Sequence, residues 1–133
     1  MTTLLDDRSA VQRQWLEDLH KLMEQARAWS AAKGWAVSVA ETLVSESKLG
    51  EYAAPTLQLR APNGTVIYVE PVARYVAGGE GLVDIYAWPS LRKFLLVHQQ
   101  GDWAVRTDSG VPLPWKWSEA AFVEMVNALT SPA

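Results

Sequence analysis

The chain is expected to adopt an α+β fold: a mostly antiparallel sheet of five or six strands, flanked by a long N-terminal helix and a shorter C-terminal helix. Three features of the sequence lead there. Apolar residues recur at three-and-four spacing early in the chain, alternating apolar segments separated by short turns fill its middle, and a second helical repeat follows near the end.

From Ser9 to about Ala32 the apolar positions are Val11, Trp15, Leu16, Leu19, Leu22, Met23, Ala26 and Trp29, one face of a helix. Ser9 with Gln12 three residues on resembles a capping box, and Lys33-Gly34 suits a C-terminal cap. Gln12, Arg13, Glu17, Lys21, Glu24, Gln25 and Arg27 make the other face a solvated one.

Trp35 to Val44, rich in β-branched and small residues, predicts a strand interrupted on one apolar face by Glu41. After a polar turn, Thr56–Ala61 and Thr65–Glu70 flank Pro62-Asn63-Gly64, the residue types of a tight hairpin. Pairing Arg60 with Thr65 would place Leu57, Leu59, Val66 and Tyr68 on one face and Gln58, Arg60, Ile67 and Val69 on the other.

Leu82–Trp88, Arg92–His98 and Trp103–Thr107 predict a meander. Pairing Ala87 with Arg92 and His98 with Trp103 gathers Val83, Ile85, Ala87, Phe94, Leu96, His98, Trp103 and Val105 on a core face. The opposite face carries Leu82, Asp84, Tyr86, Trp88, Lys93, Leu95, Val97 and Arg106, a mixture of apolar and charged groups. A slip of one residue would exchange the two sets. The run Asp108-Ser109-Gly110-Val111-Pro112-Leu113-Pro114-Trp115 is expected to be an irregular connection pinned by Trp115. Ser118 then caps a short helix, Trp117 staples onto Phe122, and Phe122, Met125, Val126 and Leu129 line its buried face.

At 133 residues, with 49% hydrophobic and 20% charged residues and no break in composition, a single domain over 1–133 is expected. The formal net charge of -3 gives no general attraction to phosphate backbones or anionic lipid, so neither nucleic acid nor membrane is an expected partner. The absence of cysteine excludes disulfides, thiolate nucleophiles and cysteine-based zinc sites. No basic start leads into an apolar run, and no apolar stretch approaches a membrane span, so a cytoplasmic setting is expected. No cofactor motif and no metal-ligand spacing is present, and none is expected.

His20 and His98 are the only histidines. A catalytic role for His98 requires convergence with Glu41, Glu70 or Asp84. Gly81-Leu82-Val83-Asp84 resembles the first half of the motif of the PD-(D/E)XK nucleases, which the resemblance would complete with a Glu-x-Lys strand. Phe94-Leu95-Leu96-Val97-His98 holds neither residue, and Glu46-Ser47-Lys48 precedes the Asp. Gly78-Gly79-Glu80-Gly81 lacks the Lys-Ser/Thr and helix of a phosphate loop and suits a flexible turn.

With seven tryptophans in the chain, the mixed sheet face is the more informative feature. Aromatic and arginine residues among apolar ones mark contact surfaces. The sequence therefore predicts a non-catalytic binding domain that uses Asp84, Tyr86, Trp88, Lys93, Arg106 and Trp115 to hold a protein partner or a second copy of itself. Two alternatives stand beside it. One is a small-ligand cleft lined by Trp103, Trp115 and Trp117, and the other is an enzyme built on Asp84 and His98. The competing structural expectation is that the C-terminal helix and the Trp115 segment cover this face.

Overall fold

The alternating segments build a seven-stranded antiparallel meander in which the strand order follows the chain order. In the computed structural model, which describes residues 4–131, helix α1 (Leu4–Ala32) precedes the sheet and helix α2 (Glu119–Thr130) follows it. The strands are β1 (Ala36–Glu46), β2 (Gly50–Arg60), β3 (Val66–Ala73), β4 (Leu82–Trp88), β5 (Lys93–Gln99), β6 (Asp102–Thr107) and β7 (Pro112–Lys116).

Seven strands stand where five or six were expected, because the proline-rich connection is itself a strand. β7 sits at the sheet edge with Pro112, Pro114 and a register shift in its pairing to β6. A proline cannot donate to a ladder, so it is tolerated where one side of the strand has no neighbour. β2 also begins earlier than expected, at Gly50, leaving only three residues between β1 and β2.

The helical repeat of α1 buries Trp15, Leu19, Leu22, Met23 and Ala26 against the sheet. At roughly 1.5–3 kcal/mol for each large apolar side chain taken out of water, this stripe holds the helix in place. The helix starts at Leu4 rather than at Ser9, which lies within it, so Ser9 is not a cap. The chain leaves the helix through Gly34, whose φ is +77°. In α2, Ser118 accepts the N–H of Ala121 at 3.2 Å and the Trp117 and Phe122 rings meet at 6.0 Å, as the sequence indicated.

The β4–β5 and β5–β6 registers follow the expected pairing, with Tyr86 opposite Lys93 and His98 opposite Trp103. The β2–β3 hairpin does not. Gly64 donates its N–H to the Ala61 carbonyl at 2.9 Å and Ala61 donates to Thr65, so Arg60 pairs with Val66 and Leu59 with Ile67. The slip of one residue puts Leu57, Leu59, Ile67 and Val69 together in the core and turns Val66 and Tyr68 outward. A three-residue loop made of a type I turn and a left-handed glycine produces this register.

Both helices pack on the same face. Trp29 of α1 contacts Trp117, which precedes α2, and Phe122 within it, at ring separations of 5.3 and 5.8 Å, and all belong to one core with Ile67, Ile85, Leu96 and Val105. The C-terminal helix therefore does not cover the mixed sheet face. Among the described residues no helix is long and apolar enough to cross a membrane.

Near Pro55 the buried side of β2 changes parity, from Leu57 and Leu59 to Ala54 and Tyr52. The β1–β2 tip thus closes over α1: Trp15 Nε1–H donates to the Tyr52 hydroxyl at 3.1 Å, and Gln12 donates to the Leu49 carbonyl.

Candidate functional site

Strand alternation and the observed registers assemble the outer face of the sheet. Tyr68 of β3 stands opposite Tyr86 of β4, and their rings stack at 5.2 Å with 22° between planes. Val66 stands opposite Trp88, and Glu70 opposite Asp84. Across the next pairing Asp84 meets Leu95 and Tyr86 meets Lys93, while Arg106 of β6 pairs with Leu95. Five of the six expected site residues, Asp84, Tyr86, Trp88, Lys93 and Arg106, accordingly share one surface.

Trp115 is the exception. Its ring packs on Phe94 at 5.7 Å, on the helix-covered side of the sheet, because the pairing of β7 turns Pro112 and Lys116 away from the core and Leu113 and Trp115 toward it. Trp103 and Trp117 are buried in the same core, and Trp117 Nε1–H donates to Gln25 at 3.0 Å. Of the three rings expected to line a cleft, Trp103 and Trp115 border an open surface cleft together with Glu80, Gln99 and Lys116, and Trp117 lies outside it.

The outer-face charges are arranged in pairs. Lys93 lies 3.6 Å from Asp84 and 3.8 Å from Asp108. The Tyr86 hydroxyl donates to Glu70. Burial first, and then this carboxylate, push the Tyr86 phenol above its ordinary value, so it remains a donor. At one end of the face the loop between β3 and β4 folds over Val97, which is only 4% exposed. A Cβ on Gly79 would stand 2.3 Å from Val97 Cγ1, so the loop can approach this closely only with glycine there. At the other end Trp88 is 54% exposed.

Burial raises the Asp84 carboxyl above its ordinary range, and Lys93 partly opposes this. The folded state then holds the Asp84 proton more tightly than the unfolded chain does. The stability from this group is full below the ordinary carboxylate range and is lost as pH rises through the raised value. In urea unfolding, Asp84→Asn is expected to gain stability relative to the unmodified protein between about pH 3 and pH 7, by up to ~1 kcal/mol at this partly solvated pair. A difference independent of pH would contradict the assignment.

His98 lies on the opposite face from Asp84 and Glu70, buried beside the Trp15 and Trp103 rings. Its Nε2 faces Asp18 of α1 at 3.9 Å and its Nδ1 faces Glu80 at 4.0 Å. Glu41 is exposed on β1. The constellation of His98 with Glu41, Glu70 or Asp84 does not form. Among the described residues no three histidine or carboxylate side chains gather as a metal site.

Tyr68 and Glu70 belong to the site and were missed. The shifted hairpin register hid Tyr68, and the closing pair Ala61–Thr65 around Pro62-Asn63-Gly64 is the signal that would have recovered it. No known family model, curated protein or solved structure matches the chain.

Proposed function

We propose that this protein is a non-catalytic binding domain whose open sheet face docks on the surface of another protein. One observation carries the reading: α1 and α2 pack on the same side of the sheet, which leaves the Tyr68–Tyr86 stack and Trp88 accessible on the other. An exposed indole beside stacked tyrosines, rimmed by Lys93, Asp84 and Arg106, has the composition of a contact hot spot. The paired charges give such a surface orientation and selectivity. The proposal includes the cytoplasmic setting expected from the sequence.

A photo-crosslinking amino acid at Trp88, with the same group at the exposed Lys21 of α1 as a control, tests the reading in extracts of the source cells. A discrete adduct to one protein is expected from position 88, at least tenfold weaker in Lys93→Glu. No adduct from position 88, or the same adduct in equal yield from position 21, would refute it.

A further inference from the structure

The two edges of the sheet are built differently. β7 is five residues long, carries Pro112, Pro114 and Lys116, and joins β6 through a register shift. Short length, proline, lysine and a bulge are the devices by which an edge strand avoids pairing with another chain. β1, the other edge, has none of them. It runs for 11 residues, Ala36 to Glu46, with no proline and no basic residue, and its pairing to β2 is unbroken along that length. Most of its residues are exposed, Val39 by 49% and Leu43 by 66%, and neither helix covers these two side chains. Its free side therefore presents a row of backbone N–H and C=O groups flanked by apolar side chains.

We propose that a second copy of this chain pairs antiparallel along β1, joining two meanders into one continuous sheet across a two-fold axis at Ala40. The sequence of β1 is compatible with itself in that register. Ala40 faces Ala40, Ser38 faces Thr42 and Val37 faces Leu43 of the other copy, while Glu41 falls opposite Val39, so no like charges stand directly across from one another. A partner strand laid against the edge also covers Val39 and Leu43. Because β7 is guarded, each copy has one open edge, and pairing stops at two rather than growing into a fibre. This interface is distinct from the Tyr68–Tyr86–Trp88 face and does not depend on it. It places two such faces side by side.

The absence of native cysteine makes the register directly readable. Directly opposed residues in an antiparallel pair have Cα atoms about 4.5–5.5 Å apart, within disulfide range. Ala40→Cys is expected to form a covalent dimer on mild oxidation. Ser38→Cys alone should form no disulfide, whereas a mixture of Ser38→Cys and Thr42→Cys chains should crosslink. In sedimentation equilibrium the unmodified protein should dimerise. Ala40→Lys, an exposed change whose fold is verified by circular dichroism, should weaken dimerisation at least tenfold, and mixing it with Ala40→Asp should restore it. A chain that sediments as a monomer at all concentrations, with no Ala40→Cys dimer, overturns the proposal. So does a dimer that Ala40→Lys leaves intact and Trp88→Glu dissociates, since that interface would lie on the sheet face. Efficient crosslinking of Ser38→Cys alone overturns the register.

Discussion

Trp15→Ala should lower the unfolding free energy by ~3–5 kcal/mol, the usual loss when a large aromatic side chain is removed from a packed interior. The residue is 1% exposed, its ring contacts those of Trp103 and His98, and its indole N–H is bonded to Tyr52. It ties α1 to β2, β5 and β6 at once. The Tyr52 hydroxyl donates in turn to Glu46, which accepts the backbone N–H groups of Arg74 and Tyr75. Removing the ring therefore opens a cavity and also takes away a donor that orients this chain of hydrogen bonds. Trp15→Phe should fall between the two, because it restores much of the volume without the N–H. Urea unfolding monitored by circular dichroism measures both. A loss below ~1 kcal/mol for the alanine variant would mean that the indole is not an interior group.

Gly81→Ala is the second large effect, about 3 kcal/mol or more. Gly81 has a φ of +151°, and an added Cβ would stand 2.3 Å from Cζ3 of the Trp15 ring. The backbone conformation and the contact both oppose any side chain. The ring cannot yield easily, since it is locked between His98, Trp103 and Tyr52. The same segment is held from the other side, where His98 N–H donates to the Gly81 carbonyl and Glu80 N–H to the His98 carbonyl. The loss should be partly relieved in a Trp15→Phe background. Equal losses in both backgrounds would show that backbone strain, not the ring, sets the cost.

The sequence was most legible where periodicity and turn chemistry agreed. The α1 stripe, the Ser118 cap and the β4–β5–β6 registers follow from local spacing alone, and with them the placement of Asp84, Tyr86, Trp88, Lys93 and Arg106 on one sheet face. Three features were not legible. The register of the β2–β3 hairpin depends on whether Pro62-Asn63-Gly64 closes on Arg60 or on Ala61, a difference of one residue that reverses every side chain of β3. β7 was hidden because proline opposes a strand in general but not at an edge, and only the tertiary fold decides which strand is the edge. The packing of both helices on one face has no signature in either helix, since an apolar stripe specifies burial without naming what buries it. His98 shows the same limit: its carboxylate neighbours come from α1 and from the loop before β4, far apart in sequence.

The meander is assembled from neighbours in sequence, yet its interior is finished by one helix that precedes all the strands and one that follows them. Phe122, Met125 and Leu129 of α2 join Leu22 and Ala26 of α1 in the same core. While the chain emerges from the ribosome, strands can pair as they appear, but the greasy side of the sheet stays partly wet until α2 is released. Folding to the final state therefore waits for α2, and loss of α2 would leave an aggregation-prone sheet rather than a smaller stable protein.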